Sequence, residues 1–200
     1  MKIFKKILRF IIELILGIIL KLFFWLRVEG RNNIPKEGAL IFCGNHRSFL
    51  DPVIIEIFSS RHMHFMSKDE LKKNPITRLA VFIFEGIYVK RDEKDIASLK
   101  ESLRLLKNNE CLGIFPEGTR NGFKKNDGKV KNGASYLALK TNTKVVPVGI
   151  SGKLRPFSKN KIKYGEPIDF TELLEGKKVD KELEDKASEL IKEKIIELAK

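Results

Sequence analysis

The sequence has few of the residues on which several common kinds of site depend. Two of its 200 residues are cysteine and three are histidine. Two cysteines cannot form a disulfide framework, and together with the histidines they make no recognisable set of metal ligands. His62 and His64 alternate along a predicted strand, where packing on one side of the sheet is their simpler role. We therefore expect a chain from a reducing compartment, without a metal site.

Acidic residues are also few beside basic ones, with 26 Asp and Glu against 39 Lys and Arg, a net charge of +13. A nucleic-acid-binding protein would interleave such charge with exposed aromatic side chains or place it on a recognition helix, and the sequence indicates neither. The excess is concentrated in two zones, residues 1–50 and a stretch from about 101 to 163. These zones favour other anionic partners, an anionic membrane surface and phosphate-bearing substrates.

The N-terminal segment, residues 3–26, is mostly Ile, Leu and Phe. No small-residue cleavage site follows it, which disfavours a secretory signal. Apart from Lys5, its polar residues recur every three or four positions, so a helix would place them in one narrow stripe. The stripe consists of Lys2, Lys6, Arg9, Glu13, Gly17 and Lys21.

Three placements of this helix fit the pattern. An interfacial helix would keep the stripe among lipid headgroups and bury the rest of its surface in one leaflet. A spanning helix is possible by length but would place Arg9, Glu13 and Lys21 in hydrocarbon. A helix packed on its own domain or on a partner is the third. We favour the interfacial helix, over residues 1–27, and predict a peripheral protein on the cytoplasmic face of the cell membrane.

Residues 28–200 alternate short apolar runs with helical stretches, which predicts one α/β domain with a largely parallel sheet flanked by helices. In such sheets, sites collect at the carboxyl ends of the strands. The predicted strands cover 39–43, 62–66, 87–89, 111–115, 145–150 and 161–164. The predicted helices cover about 68–84, 93–107, 133–140 and 180–199, and one more begins at Asp51, as its N-cap, and Pro52.

The loop after the first predicted strand carries His46 and Asp51. This loop can fold the Asp51 carboxylate back onto the imidazole of His46. A carboxylate on one ring nitrogen fixes the tautomer and leaves the other nitrogen free to remove a proton, as a general base does. The alternative is that Asp51 only caps its helix and His46 is an ordinary loop histidine.

A nucleophile to accompany this pair is not evident. Ser48 lies only two residues from His46, and Cys43 and Cys111 lie in apolar strands where burial is expected. A serine or cysteine hydrolase is therefore disfavoured, because the base would instead deprotonate a hydroxyl group of a bound substrate.

A second block follows the strand that ends at Pro116. Gly118 permits a tight turn or a close approach to a ligand. Glu117 and Arg120 are then presented together, and an arginine there suits bidentate binding of phosphate. Arg91 also follows a predicted strand. The alternative is a surface turn held by a salt bridge.

In their order and spacing, four blocks of this sequence resemble the motifs of the glycerolipid acyltransferases, and most closely those of the bacterial enzymes that acylate 1-acylglycerol 3-phosphate. The resemblance covers about residues 28–170. The blocks are Asn45-His46-x-Ser48-x-x-Asp51, residues 86–91, Phe115-Pro116-Glu117-Gly118-Thr119-Arg120 and Val146-Pro147-Val148.

The resemblance implies transfer of a fatty acyl group, in phospholipid biosynthesis, from acyl-CoA or acyl carrier protein to the free hydroxyl of lysophosphatidate, with no bound cofactor. His46 would be the base and Asp51 its partner, and we predict direct attack without an acyl-enzyme. An acyltransferase for another lysophospholipid is one alternative; a non-catalytic membrane-binding module is another, which these motifs disfavour. The residues implied to bind substrate are Lys68, Arg91, Glu117, Gly118, Thr119 and Arg120.

Overall fold

The computed structural model describes residues 2–90, 95–121, 123, 130–174 and 178–200. The strands are β1 (Leu26–Glu29), β2 (Ile41–Gly44), β3 (Met63–Lys68), β4 (Ile87–Val89), β5 (Cys111–Ile114), β6 (Val145–Ser151) and β7 (Asn160–Tyr164). The α-helices in these ranges are α1 (Lys2–Phe23), α2 (Asp51–Ser59), α3 (Pro75–Ile83), α4 (Ile96–Lys107), α5 (Gly133–Thr141), α6 (Thr171–Leu174) and α7 (Lys181–Leu198). Short 3-10 helices cover Arg31–Asn33 and Asp69–Lys73.

The seven strands form one sheet in the order β1-β7-β6-β2-β5-β3-β4. Every neighbouring pair is parallel except β6 with β7. Strand β2 lies in the middle, where Ile41 is opposite both Leu112 of β5 and Val145 of β6. The predicted α/β fold with a largely parallel sheet flanked by helices is therefore confirmed.

The core lies on both faces of this sheet, because successive side chains of a strand point to opposite sides. Ile41 and Cys43 pack with one cluster, which includes Leu137 of α5 and Ile191 of α7. Phe42 and Leu40, two residues before it and on the same side, pack with the other cluster, which includes residues of α1 and α2. Strands covered on both faces are continuously apolar, as parallel strands usually are.

Helices α2, α5 and α7 begin within one residue of their predicted starts, whereas α3 begins at Pro75 instead of about residue 68. Asn74 accepts hydrogen bonds from Ile76 N and Thr77 N at the start of α3, ahead of Pro75. Asp95 and Asp180 similarly accept hydrogen bonds from backbone N–H groups at the starts of α4 and α7. Such caps satisfy N–H groups that have no partner within the helix.

Strand β1 and the short helix α6 are not predicted from the sequence. Residues Leu26–Glu29 follow the apolar N-terminal segment without a break, and they form a strand because β7 lies beside them, with Leu26 opposite Asn160. That pairing joins residues far apart in the chain and leaves no local signal.

Helix α1 turns part of its polar stripe toward the protein. Arg9 donates a hydrogen bond to His62 Nε2 at 2.7 Å and forms an ion pair with Glu85 Oε2 at 3.1 Å. Glu13 pairs with Arg9 at 3.7 Å. At Gly17 a Cβ atom would lie 3.3 Å from Ile57 Cγ2, so this part of α1 lies against α2.

The predicted placement of the whole stripe among lipid headgroups is therefore wrong for Arg9, Glu13 and Gly17. The partners of Arg9 outside α1, His62 and Glu85, lie more than fifty residues away along the chain, so the sequence does not reveal them. Within the described ranges, no helix combines the length and apolarity that a membrane span requires. The opposite face of α1 is apolar and exposed, and it includes Ile3, Phe4, Ile7, Phe10, Ile11, Leu14, Ile15, Ile18 and Leu22.

Candidate active site

The candidate residues meet at the carboxyl-terminal edge of the parallel strands. His46 follows β2 by two residues, Lys68 ends β3, and the segment from Pro116 to Arg120 follows β5. Because β3, β5 and β2 are neighbours and parallel, the ends of these strands lie side by side. This is the edge at which sites of parallel sheets form.

His46 and Asp51 are in contact, as the sequence predicted. His46 Nδ1 lies 3.0 Å from Asp51 Oδ2, and the Asp51 carboxyl is fully buried. The same oxygen accepts hydrogen bonds from Arg47 N at 2.5 Å and Ser48 N at 2.6 Å. These contacts fold the loop back on itself and fix the imidazole, which leaves His46 Nε2 as the nitrogen available to a substrate.

The prediction that Asp51 is the N-cap of α2 is wrong. Asp51 is the first residue of that helix, and Leu50 stands at the cap position without a side-chain hydrogen bond to it. The Asp51 carboxylate accepts hydrogen bonds from the loop before it, at Arg47 and Ser48, instead of from the helix after it.

Glu117 joins the loop after β5 to the loop after β2. Its Oε1 accepts a hydrogen bond from His46 N at 2.6 Å and its Oε2 accepts one from Phe123 N at 3.0 Å. The carboxylate is buried, and its oxygens contact backbone N–H groups instead of the Arg120 side chain. His46 is held a third time at its carbonyl, which accepts from Asn121 N at 2.6 Å.

Asn45 is a further residue of the site, and its role is not predicted from the sequence. Its side-chain amide donates to Ile150 O at 2.9 Å and accepts from Ile150 N at 2.7 Å, which fastens the start of the His46 loop to β6. An asparagine directly after an apolar strand is the feature of the sequence that could have indicated this role. The His46 ring also stacks on Phe115, with centroids 4.2 Å apart.

A cavity of about 500 Å³ opens beside His46. Its volume falls in the range of ligand-binding cavities. The apolar side chains around it include Phe49, Val53, Phe65, Val81, Phe84 and Val89. Its polar and cationic lining includes His46, Lys68, Thr119, Arg120 and Lys131. A site of this composition can hold a long apolar chain together with a phosphate group.

The structure thus brings most of the predicted residues together. His46, Lys68, Gly118, Thr119 and Arg120 line the cavity. Asp51 and Glu117 contact His46. Arg91 lies outside the described residues. Lys131 also lines the cavity and was not predicted as a site residue.

The backbone of Gly118 has φ +65°, a conformation that residues with a side chain rarely adopt, as the predicted tight turn requires. A Cβ atom at this position would lie 2.7 Å from Lys131 Cε. The glycine therefore lets the β5 loop and the Lys131 side chain approach each other at the cavity wall.

The cysteines are unsuited to nucleophilic attack. Both are buried, as predicted, and burial raises the pKa of the Cys43 thiol and of the Cys111 thiol above the usual value. Ser48 Oγ accepts a hydrogen bond from Leu50 N. In the described part of the chain, His46 makes no hydrogen bond to a serine, threonine or cysteine side chain.

A second group of charged residues lies between α1, α2 and β3. His62 Nδ1 lies 2.6 Å from Glu56 Oε1, and its Nε2 lies 3.1 Å from Glu85 Oε2. Burial raises the pKa of Glu56 to about 8, and burial with the nearby Arg9 charge lowers the pKa of His62. We call Arg9, Glu56, His62 and Glu85 the Arg9 cluster.

The prediction that His62 and His64 serve only packing is therefore incomplete. Their rings do lie together, with centroids 4.9 Å apart, but both contact carboxylates. His64 Nε2 lies 2.7 Å from Glu110 Oε2. Among the residues that the structure describes, no group of three or more His, Cys, Asp and Glu side chains could hold a metal ion.

Three comparisons with known proteins agree with the acyltransferase family that the sequence motifs indicate. A family model described as Acyltransferase matches residues 26–151. The 1-acyl-sn-glycerol-3-phosphate acyltransferase of Borreliella burgdorferi is 32% identical over 136 residues, which is 66% of this chain and 54% of that protein. The enzyme of the same name from Bacillus subtilis is 29% identical over 79% of this chain and 82% of its own length.

A solved structure is also similar. It is the crystal structure of the 1-acyl-sn-glycerophosphate (LPA) acyltransferase PlsC from Thermotoga maritima, with a TM-score of 0.62 and 30% identity over 86% of this chain and 71% of that chain. The chain spans about half the length of the B. burgdorferi relative. With the family model matching well over half of its residues, the chain belongs to the acyltransferase family that the sequence motifs indicated.

Proposed function

We propose that this protein transfers a fatty acyl group from a thioester donor, acyl-CoA or acyl carrier protein, to the free hydroxyl of 1-acylglycerol 3-phosphate, which forms phosphatidic acid. The observation that carries the proposal is the His46–Asp51 pair at a cavity lined by apolar side chains and by Lys68 and Arg120. The names of the B. burgdorferi and B. subtilis relatives support the same acceptor.

His46 acts as the general base. The acceptor hydroxyl donates a hydrogen bond to His46 Nε2 and attacks the thioester carbonyl as the ring takes up its proton. Collapse of the tetrahedral intermediate breaks the C–S bond, and the leaving thiolate takes the proton from the imidazolium. Backbone amides or the Lys68 ammonium stabilise the oxyanion.

Asp51 and Glu117 position this base. Asp51 holds the Nδ1 proton in place and stabilises the imidazolium that forms during transfer. We propose that Glu117, which the resemblance implies to bind substrate, acts instead through the backbone of His46, since both its oxygens accept hydrogen bonds from backbone N–H groups. Two buried carboxylates thus hold one histidine from two sides.

The acceptor phosphate binds at the turn after β5. Arg120 and Lys68 supply positive charge, and Thr119 and the Gly118 turn supply polar groups beside it. We expect Arg91 to add a further charge. The acyl chain occupies the apolar part of the cavity, so the two substrates meet beside His46 and their proximity contributes to the rate. We expect this transfer to need no bound cofactor.

Helix α1 places the active site at the membrane surface. Its exposed apolar face matches the interior of one leaflet, and Lys6 and Lys21 are exposed to anionic headgroups. We propose that residues 1–27 bind the cytoplasmic face of the cell membrane and that residues 28–200 form the acyltransferase domain.

The test is an assay of the purified chain with radiolabelled acyl-CoA and acyl-carrier-protein donors against a panel of lysolipids. The panel should include 1-acylglycerol 3-phosphate, lysophosphatidylcholine and lysophosphatidylglycerol. Fastest acylation of 1-acylglycerol 3-phosphate supports the proposal. Faster acylation of another lysolipid would contradict the proposed acceptor, and no acylation with any donor would contradict the activity.

A further inference from the structure

Helix α3 has two apolar faces with different surroundings. Thr77, Ala80 and Val81 of α3, together with Phe84 directly after the helix, line the cavity beside His46. On the opposite side, Ile76, Leu79 and Phe82 are 77%, 57% and 51% exposed. A surface helix normally turns its apolar residues inward and its polar residues to water, so a large exposed apolar face indicates an interaction surface.

The exposed face of α3 is continuous with the apolar surface of α1. Lys5 Nζ of α1 lies 3.6 Å from the centroid of the Phe82 ring. Lys5 and Arg9 both pair with Glu85, two residues beyond the end of α3. These contacts hold the C-terminal end of α3 beside the N-terminal half of α1, whose outer side includes the exposed residues Phe4 and Ile7.

The surroundings of the α3 face are basic. Residues 68–78 contain four basic side chains and two acidic ones. Lys72, Lys73 and Arg78 are exposed. An apolar helix face flanked by lysine and arginine suits the boundary between acyl chains and anionic headgroups, where both kinds of side chain find their preferred surroundings.

We propose that the α3 surface, formed by Ile76, Leu79 and Phe82, is a second membrane-contacting surface that docks on the same anionic leaflet as α1. Because the other side of α3 lines the cavity, this docking leaves a single helix between the leaflet and the acyl-binding space. A lysolipid then moves from the bilayer to His46 past α3 without crossing water. The inference extends the proposed function, which requires only α1 at the membrane.

Vesicle binding tests the α3 surface directly. The full chain is sedimented with vesicles of phosphatidylglycerol and phosphatidylcholine, as wild type and as I76S/L79S. The matched control is L190S/I196S on α7, where Leu190 and Ile196 are 36% and 38% exposed and the helix packs on the other face of the sheet from α1. We expect I76S/L79S to lower vesicle affinity about tenfold or more, since each side chain loses its apolar burial. We expect L190S/I196S to bind as wild type does.

Two further measurements keep the outcome clear. Thermal unfolding shows whether each variant is folded. The chain has one tryptophan, Trp25, so the double variant L79W/W25F carries a single tryptophan, on α3. Brominated lipids should quench the fluorescence of this tryptophan. Wild-type affinity of I76S/L79S, or absence of quenching in vesicle-bound L79W/W25F, would overturn the inference.

Activity separates this inference from the proposed function. With a short-chain lysophosphatidate dispersed in detergent, folded I76S/L79S should turn over within about threefold of wild type. If no form of the chain acylates lysophosphatidate while α3 still controls vesicle binding, the proposed function fails and the α3 surface stands. If acylation holds and vesicle binding ignores α3, only the inference fails.

Discussion

All three histidines of this protein contact carboxylates, and the surroundings of two of them, His46 and His62, differ in one decisive way. His46 contacts Asp51 through Nδ1 at 3.0 Å and lines the cavity. His62 contacts Glu56 through Nδ1 at 2.6 Å, but its Nε2 is already engaged by Arg9 and Glu85. A carboxylate partner alone therefore does not make a general base. The second nitrogen must also be open to a substrate.

The largest expected effect separates the two histidines. His46→Ala should lower kcat for acyl transfer about 10³-fold, since it removes the proposed general base. His62→Ala should change kcat less than about tenfold if it remains folded, because a structural histidine enters no proton transfer. Initial rates with labelled acyl donor measure both. Equal losses in the two variants would remove the distinction between the two sites.

A second change tests the carboxylate of each pair. Asp51→Asn should lower kcat about 10²-fold or more while the fold persists, since the amide no longer stabilises the imidazolium. Glu56→Gln, the matched change beside His62, should leave kcat within about threefold although Glu56 also lines the cavity, because burial already favours its neutral form. A pH–rate profile of each variant provides the measurement. An Asp51→Asn profile identical to that of wild type would contradict the role of Asp51.

A third change tests the phosphate contact at the cavity. Arg120→Ala should raise the acceptor KM about tenfold or more, since a charged hydrogen bond is lost. Arg104→Ala is the control, because Arg104 pairs with Glu101 on the exposed side of α4. Steady-state kinetics with varied lysophosphatidate distinguish the two. An unchanged acceptor KM in Arg120→Ala would contradict phosphate binding there.

The smallest expected effect concerns stability at the Arg9 cluster. Burial raises the pKa of Glu56 from 4.5 to about 8, so the folded state holds this proton more tightly than the unfolded chain does. The contribution of Glu56 to the free energy of unfolding is therefore complete below pH 4.5 and is lost as the pH rises toward 8. Over this range the free energy of unfolding falls by at most about 1.4 kcal/mol per pH unit.

Glu56→Gln removes this titration. Between pH 6 and pH 8, its free energy of unfolding should fall less steeply than that of wild type, as denaturant titrations at several pH values can show. Parallel slopes in the two proteins would mean that Glu56 is ionised in the folded state throughout this range.

Local signals in the sequence predict much of this fold. Strand β4 occupies Ile87–Val89, as predicted, and α7 begins after its Asp180 cap. The alternation of apolar runs and helical stretches predicts the α/β arrangement, because each strand or helix is recognised from the spacing of residues within its own segment. Strand β1 was not predicted, since it depends on β7 more than a hundred residues away.

The site divides in the same way. The His46–Asp51 contact could be predicted because only a short loop separates the two residues along the chain. The hydrogen bond from His46 N to Glu117 could not be predicted, since it joins loops that follow two different strands. The orientation of α1 also depended on distant partners, and Arg9 contacts the body of the protein because His62 and Glu85 lie opposite it.

The central claim is that His46 activates the acceptor hydroxyl directly and that no acyl-enzyme forms. Intact-protein mass spectrometry after rapid mixing with acyl-CoA, first without and then with lysophosphatidate, tests this claim most directly. We predict an unmodified protein in both cases, with CoA released only when the acceptor is present. An acylated protein, at Ser48 or Cys43 for example, that transfers its acyl group when lysophosphatidate is added would contradict the account.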